Sequence, residues 1–189
     1  MTERDRRIRR TRQALADAFL SLVLEKGYER ITVQDILDRA DDGRSTFYAH
    51  YDNKHALLLD CFDDMQQRLR SESDTHSRAG RSIDPAWPAA LVYEHAYRNQ
   101  HVYRVLCGKQ GGDTVQRYLH GLISEVLTEN LRPQSGARSL NPHAEVVAEF
   151  YTAATLGLLT WWIDHDFYRG PKWLATTYRQ IAAHGAPVT

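Results

Sequence analysis

Residues 31–54 read ITVQDILDRADDGRSTFYAHYDNK, and the local chemistry of this run sets the architecture expected around it. Thr32 is placed to cap a short amphipathic segment in which Val33, Ile36, Leu37 and Ala40 share one helical face. Asp41-Asp42-Gly43 then breaks the periodicity. Beyond the break, Phe47 and Tyr51 lie one helical turn apart and predict a second short helix with a common buried face. Two short helices across a tight, glycine-containing turn make a helix-turn-helix pattern, here over about residues 33–51.

With Phe47 and Tyr51 turned inward, Ala49 falls near the middle of the opposite face. Ser45, Thr46 and Tyr48 flank it, and Arg44 stands at its N-terminal end. A small residue ringed by hydroxyls and a guanidinium suits a groove that offers phosphate oxygens and base edges. Asn53 can cap a third helix whose first residue, Lys54, brings a positive charge and free backbone N–H groups to a place that welcomes a phosphate. A carboxylate is awkward in a turn beside phosphate. Asp42 is therefore expected to point away and to cap or orient the start of the second helix.

Residues 8–60 resemble the N-terminal DNA-binding domain of TetR-family transcriptional regulators. The resemblance lies in the T-V-x-D-I start, the R-S-T-F-Y run and the aromatic-x-N-K entry to the next helix. These elements occur together and in order, which is what makes the pattern specific. The chain departs from it at Asp42, where the family usually has an apolar residue, and at Gly43, where a Ser or similar cap is common. The resemblance implies an all-α fold, with a three-helix DNA-binding domain over residues 1–52 and a helical regulatory and dimerisation domain over 53–189. It further implies a homodimer built on the last two helices, about 143–166 and 172–184, presenting two recognition helices to a palindromic operator about 34 Å apart. Repression relieved by a small molecule bound in the body is the implied mode of action. The implied DNA contacts are Ser45, Thr46 and Tyr48 to bases and phosphates, Arg44 to guanine or phosphate, and His50 and Lys54 to phosphate. Thr32 lies close to the DNA backbone while capping its helix.

At 189 residues the chain holds one large domain or two small ones, and 24 basic residues balance 24 acidic ones, so bulk charge decides nothing about nucleic acid. Its distribution says more. Arg4, Arg6, Arg7, Arg9, Arg10 and Arg12 outweigh Glu3 and Asp5, giving either a basic arm beside the DNA-binding unit or a solvated tail. Cys61 and Cys107 offer no disulfide framework, each sits on an apolar face expected to keep it inert, and no secretory segment follows the basic start. A cytoplasmic protein is expected.

A first helix from about Asp5 to Lys26 places Leu15, Ala18, Phe19, Leu22 and Val23 on one stripe that roofs the two short helices, and Gly27 stops it. From Asn53 one longer helix carries Leu58, Cys61, Phe62, Met65 and Leu69 as a rod between head and body. Residues 70–85 have no apolar period and read as a loop, into whose first part the preceding helix can persist. Helices follow over about 86–98, 100–107 and the strongly periodic Val115–Leu127, and RPQSGARSLNP closes the last of these as a loop. The helix over about 143–166 is apolar nearly all round and is expected to be buried on several sides. Glu149 interrupts it, leaving a run read as too short for a membrane. The final helix, about 172–184, sets Trp173, Leu174, Thr177, Tyr178 and Ile181 on one face, more apolar surface than a monomer of this size buries.

The body is rich in aromatic residues, each more often core than contact when taken singly. Together they suggest a cavity or a dimer seam, and Trp87, Tyr93, His95, Tyr97, Tyr103, Tyr118, Tyr151 and Trp162 are the candidate effector contacts. Phe150 and Trp161 belong to the same aromatic set. No metal-ligand spacing, phosphate loop or catalytic motif is present, so no cofactor, metal or enzymatic activity is expected. Two alternatives remain. The N-Q-H-V-Y-R-V-L-C segment and the glycine-rich break after it also resemble a Gram-positive subgroup that includes a coactivator responding to a partner protein. A helical enzyme on the same scaffold is the alternative from another class.

Overall fold

The computed structural model describes residues 3–79, 84–108, 112–131 and 142–184, and no strand occurs among them. The helix α1 (Glu3–Lys26) buries Leu15, Phe19, Leu22 and Val23. It ends at Gly27, whose φ of 77° is a conformation that side-chain-bearing residues rarely adopt. A single tight turn over Tyr28–Arg30 leads into α2 (Val33–Ala40), α3 (Arg44–Tyr48) and α4 (Lys54–Asp60). Ile36, Leu37, Phe47, Leu57 and Leu58 are buried beneath α1, each such side chain contributing about 1.5–3 kcal/mol on leaving water. A bidentate pair clamps α2 to α1: the Arg39 guanidinium donates to both Glu25 carboxylate oxygens at 2.7 Å. The N-terminal arginines Arg4, Arg6, Arg7, Arg9 and Arg10 are exposed side chains of α1, so this basic stretch is helical.

The rod is two helices. The chain turns at Cys61 and Phe62, where the Phe62 N–H donates to Leu59 O at 2.9 Å, three residues back, before α5 (Asp63–Ala79) begins. Leu58, Phe62, Met65 and Leu69 are nevertheless buried as the stripe requires. In the stretch 70–85 the helix persists well beyond its first part. The helix α5 continues to Ala79, with Ser73 buried and an Arg70–Glu125 ion pair at 3.6 Å, and residues 80–83 lie outside the described residues.

The body comprises α6 (Trp87–Arg98), α7 (Gln100–Leu106), α8 (Gly112–Leu131), α9 (Pro142–Asp164) and α10 (Pro171–His184). A proline opens α10, where its missing N–H costs nothing. Gly108 is required at the end of α7, because a Cβ there would lie 2.3 Å from the Arg104 carbonyl oxygen. The RPQSGARSLNP loop lies outside the described residues except for Pro142, which opens α9.

Two expectations for α9 need correction. By length and composition His143–Asp164 is long enough to cross a membrane, at a mean hydropathy of 1.3, so shortness is no argument against a span. Nor is α9 buried on several sides of this chain. Ala148, Thr152, Thr155, Leu159 and Trp162 face inward, while Val146 and Phe150 are 67% and 56% exposed.

Candidate nucleic-acid interface

The first turn of α2 is fixed by a reciprocal cap. The Asp35 N–H donates to Thr32 Oγ1 at 3.1 Å, and the Thr32 N–H and hydroxyl donate to Asp35 Oδ2 at 2.7 and 2.6 Å. Lys26 joins at 2.7 Å, and its hydrogen bond, with those of Thr32, holds the Asp35 carboxyl far below the ordinary range. The exposed Thr32 side chain is thus engaged in capping. At the other end Asp41 takes the left-handed conformation, φ 52° and ψ 47°, as the C-cap.

The helix α3 is capped by the Gly43 backbone in extended conformation, with no side-chain hydrogen bond. Asp42 therefore does not cap the recognition helix. Its N–H donates to Leu37 O at 3.1 Å, and its half-buried carboxylate makes no hydrogen bond or ion pair among the described residues. Phe47 points into the core, and Tyr51 follows it inward, its N–H bonded to Phe47 O at 2.8 Å with ring centroids 5.7 Å apart. The opposite side is open to solvent. Arg44, Ser45 and Ala49 are exposed, Tyr48 is 55% exposed, and Thr46 and His50 are half-buried beside them.

Arg44 is held in place from a neighbouring helix. Gln34 Oε1 on α2 accepts from its Nε at 3.2 Å and its Nη2 at 2.9 Å, leaving further guanidinium donors facing outward. Gln34 was absent from the sequence-derived set, since its pairing crosses the turn and has no periodic signature.

The Lys54 ammonium is engaged within the chain. Its Nζ donates to the carbonyls of Tyr28, Glu29 and Ile31 at 3.0, 3.2 and 2.9 Å and lies 4.6 Å from the Tyr28 ring centroid. Three donors meet three acceptors, so the side chain fastens α4 to the turn after α1. Asn53 caps α4 as expected, its Oδ1 accepting from the Ala56 N–H at 3.0 Å.

The arrangement is a small helical head that turns a short polar helix outward. Over residues 15–61 the sequence matches the family described as bacterial regulatory proteins, tetR family, and over residues 90–184 it matches a transcriptional regulator C-terminal region of the same family. The chain belongs to the TetR family. Among curated relatives it is 29% identical over 183 residues to YxbF of Bacillus subtilis, named as an HTH-type transcriptional regulator, covering 94% of this chain and 46% of that protein. It is 38% identical over 52 residues to YdeS of the same organism, also named as an HTH-type transcriptional regulator, covering 28% and 26% of the two. The chain thus spans less than half the length of these curated relatives.

Solved TetR-family structures share the fold. A regulator from Streptococcus agalactiae superposes with a TM-score of 0.60 at 24% identity, over 94% of this chain and 96% of its own. FadR of Bacillus subtilis, solved with stearoyl-CoA, gives 0.54 at 16% identity, over 92% and 98%.

The eight residues expected around an effector are mostly spent on packing. Tyr93 Oη donates to Thr155 O at 3.3 Å, and Trp162 Nε1 donates to Tyr168 O at 2.8 Å. His95 Nδ1 lies 2.9 Å from Tyr103 Oη, which donates to Met65 Sδ at 3.1 Å. Tyr97 stacks on Trp162 at 5.8 Å, Tyr151 packs edge-on against Tyr178, and Trp87 is buried on α6. None of the eight lines the grooves between α1 and α5–α7 or between α9 and α10, nor the smaller cavity of about 170 Å³ beside Cys107. The side-chain polar atoms of Tyr93, His95, Tyr103 and Trp162 thus find their partners within the protein. The Tyr118 hydroxyl is buried with no hydrogen-bond partner among the described residues.

Proposed function

We propose that the protein is a sequence-specific DNA-binding transcriptional regulator, a ligand-responsive cytoplasmic repressor that binds a palindromic operator as a homodimer. The observation that carries this reading is the outward side of α3, where Arg44, Ser45, Ala49 and Tyr48 stand clear of the core that Phe47 anchors. In this reading residues 1–52 form the head and 53–189 the regulatory body. Ser45, Thr46 and Tyr48 meet base edges and phosphates, and Arg44, preset by Gln34, reaches a guanine or a phosphate. His50 stands nearer the phosphates. Thr32 and Lys54 serve by holding α2 and α4 in place, with the backbone near Thr32 close to the DNA.

Support for the dimer comes from the bare side of α9 and α10. Val146, Phe150, Trp161 and Ile181 are exposed there, and an apolar groove of about 400 Å³ runs between the two helices. An effector must favour the arrangement of heads that does not bind DNA, since equal affinity for both would shift nothing. Regulation by a partner protein is the second reading, favoured by the burial of Trp87, Tyr93, His95, Tyr103 and Trp162 in the core. Capture of one specific partner, without any ligand-induced thermal shift, would select it.

Selection of bound sequences from a random DNA pool tests the main reading, with a palindrome as the expected product. Tyr48→Ala should abolish specific binding and leave the oligomeric state unchanged. Operator affinity equal to that of the unaltered chain would sink the placement of the recognition helix.

A further inference from the structure

Three side chains from distant parts of the chain meet at the break between α4 and α5. Arg12, midway along α1, donates from Nε to Tyr51 Oη at 3.3 Å and pairs through Nη2 with Asp60 Oδ1. Tyr51 in turn donates its hydroxyl to Asp60 Oδ2 at 2.6 Å. The guanidinium is pushed above its ordinary range by its hydrogen bonds to Tyr51 and then to Asp60, and burial raises Tyr51.

Position gives this cluster its meaning. Tyr51 follows the recognition helix directly, its ring packed on Phe47, so an anchor on its hydroxyl is an anchor on α3. Asp60 is the last residue of α4, immediately before the turn at Cys61 and Phe62, beyond which α5 is buried in the body through Met65 and Leu69. Beside the cluster, a groove of about 620 Å³ bordered by Ala16, Cys61, Asp63, Asn99 and Val102 opens between α1 and the starts of α5 and α7.

We propose that Arg12, Tyr51 and Asp60 form a clasp that sets the angle of the recognition helix relative to α5, making them positioning residues for operator binding. This rests on the DNA-binding reading above. The clasp touches no DNA itself. It selects among head orientations, and so acts on specific binding, which demands two correctly spaced heads, more than on non-specific binding, which needs only charge.

The test uses the full chain, the operator selected by the unaltered protein, and Tyr51→Phe and Asp60→Asn, with Arg12→Ala as a third variant. Loss of one charge-assisted bond is worth about tenfold or more in an equilibrium. Tyr51→Phe and Asp60→Asn are expected to weaken operator binding by about that factor and to broaden the half-site spacing recovered from a random pool. Non-specific affinity and the salt dependence of binding stay unchanged. Tyr51→Phe removes a single oxygen atom and keeps the buried ring, so it guards against a variant that fails to fold. Unchanged operator affinity and spacing in both variants would overturn the clasp. So would a proportional loss of specific and non-specific binding, which marks a purely structural role. A fall of about one in the salt slope for Arg12→Ala, with Tyr51→Phe silent, would make Arg12 a phosphate contact instead. Absence of any specific DNA binding by the unaltered chain would remove both readings.

Discussion

Lys54→Met separates a structural fastening from a phosphate contact. The three carbonyls that receive Nζ belong to Tyr28, Glu29 and Ile31, in the turn that joins α1 to α2. A hydrogen bond from a charged donor nets about 1.5–3 kcal/mol. Here three bonds share one charge at a half-buried site, so their sum is discounted to about 2 kcal/mol for the whole fastening. Methionine keeps the unbranched stem and its contact with Tyr28, which confines the loss to the polar bonds. For a chain of this length that cost lowers Tm by roughly 4–8 °C. Thermal and urea unfolding followed by circular dichroism give the stability, and operator binding across a salt series gives the number of phosphate contacts. The expected outcome is a destabilised variant with an unchanged salt slope. An equally stable variant whose slope falls by about one would return Lys54 to the phosphate and refute the fastening.

Other outcomes follow from the same geometry. Phe150→Glu places a charge on the bare side of α9 without disturbing the chain's own core, so sedimentation should show monomers of native helicity; a persistent dimer would remove α9 from the interface. The depressed Asp35 carboxyl contributes stability that is complete above its ordinary value of 3.8 and is lost as pH falls below it through the depressed folded value. Glu25, lowered by its bond to Arg39, acts in the same direction. Asp35→Asn should therefore flatten acid unfolding below about pH 4, and an identical acid limb in the variant would contradict the cap. Burial pushes the Cys61 thiol up to about 12 and raises Cys107 further, and Cys107, buried at the end of α7, should not react with a thiol-directed disulfide reagent at pH 8 until the protein unfolds. Rapid native labelling of Cys107 would show that the end of α7 opens.

What the sequence made legible was local. Thr32, Ile36, Leu37 and Phe47 declare α2 and α3 through capping chemistry and helical spacing, and Asn53 declares the start of α4 in the same way. The break after Asp60 was invisible because no glycine or proline marks DCFD. Its polar anchors lie 48 and 9 residues upstream, in Arg12 and Tyr51. The extension of α5 to Ala79 was hidden for a related reason. SESDTHSRA has no apolar period, yet Ser73 is buried and Arg70 reaches Glu125 on α8, so tertiary contact holds a helix whose sequence reads as a loop. At the interface, the spacing that placed Lys54 at a helix start could not show three carbonyls waiting upstream. Nor could it show Gln34 reaching across to Arg44.

The helix α9 shows why an accurate composition can still mislead about burial. Its residues satisfy the pattern of a helix covered on most sides, yet only 33% of its most apolar window is buried within this chain. Such a helix needs a further cover, and a bilayer or a second protein surface would each supply one. The inward side argues against a bilayer, because Thr152 and Thr155 are buried there, and Thr155 bonds to Tyr151 O at 2.7 Å and to Tyr178 on α10 at 3.2 Å. The outward side argues the same way, since the exposed Glu145 and Glu149 interrupt the apolar surface and Glu149 bonds to His120 at 3.0 Å. Acidic residues beside Val146 and Phe150 are what the rim and core of a protein interface require. In the proposed dimer, the uncovered side of α9 is the share of burial that a second copy of the chain would complete.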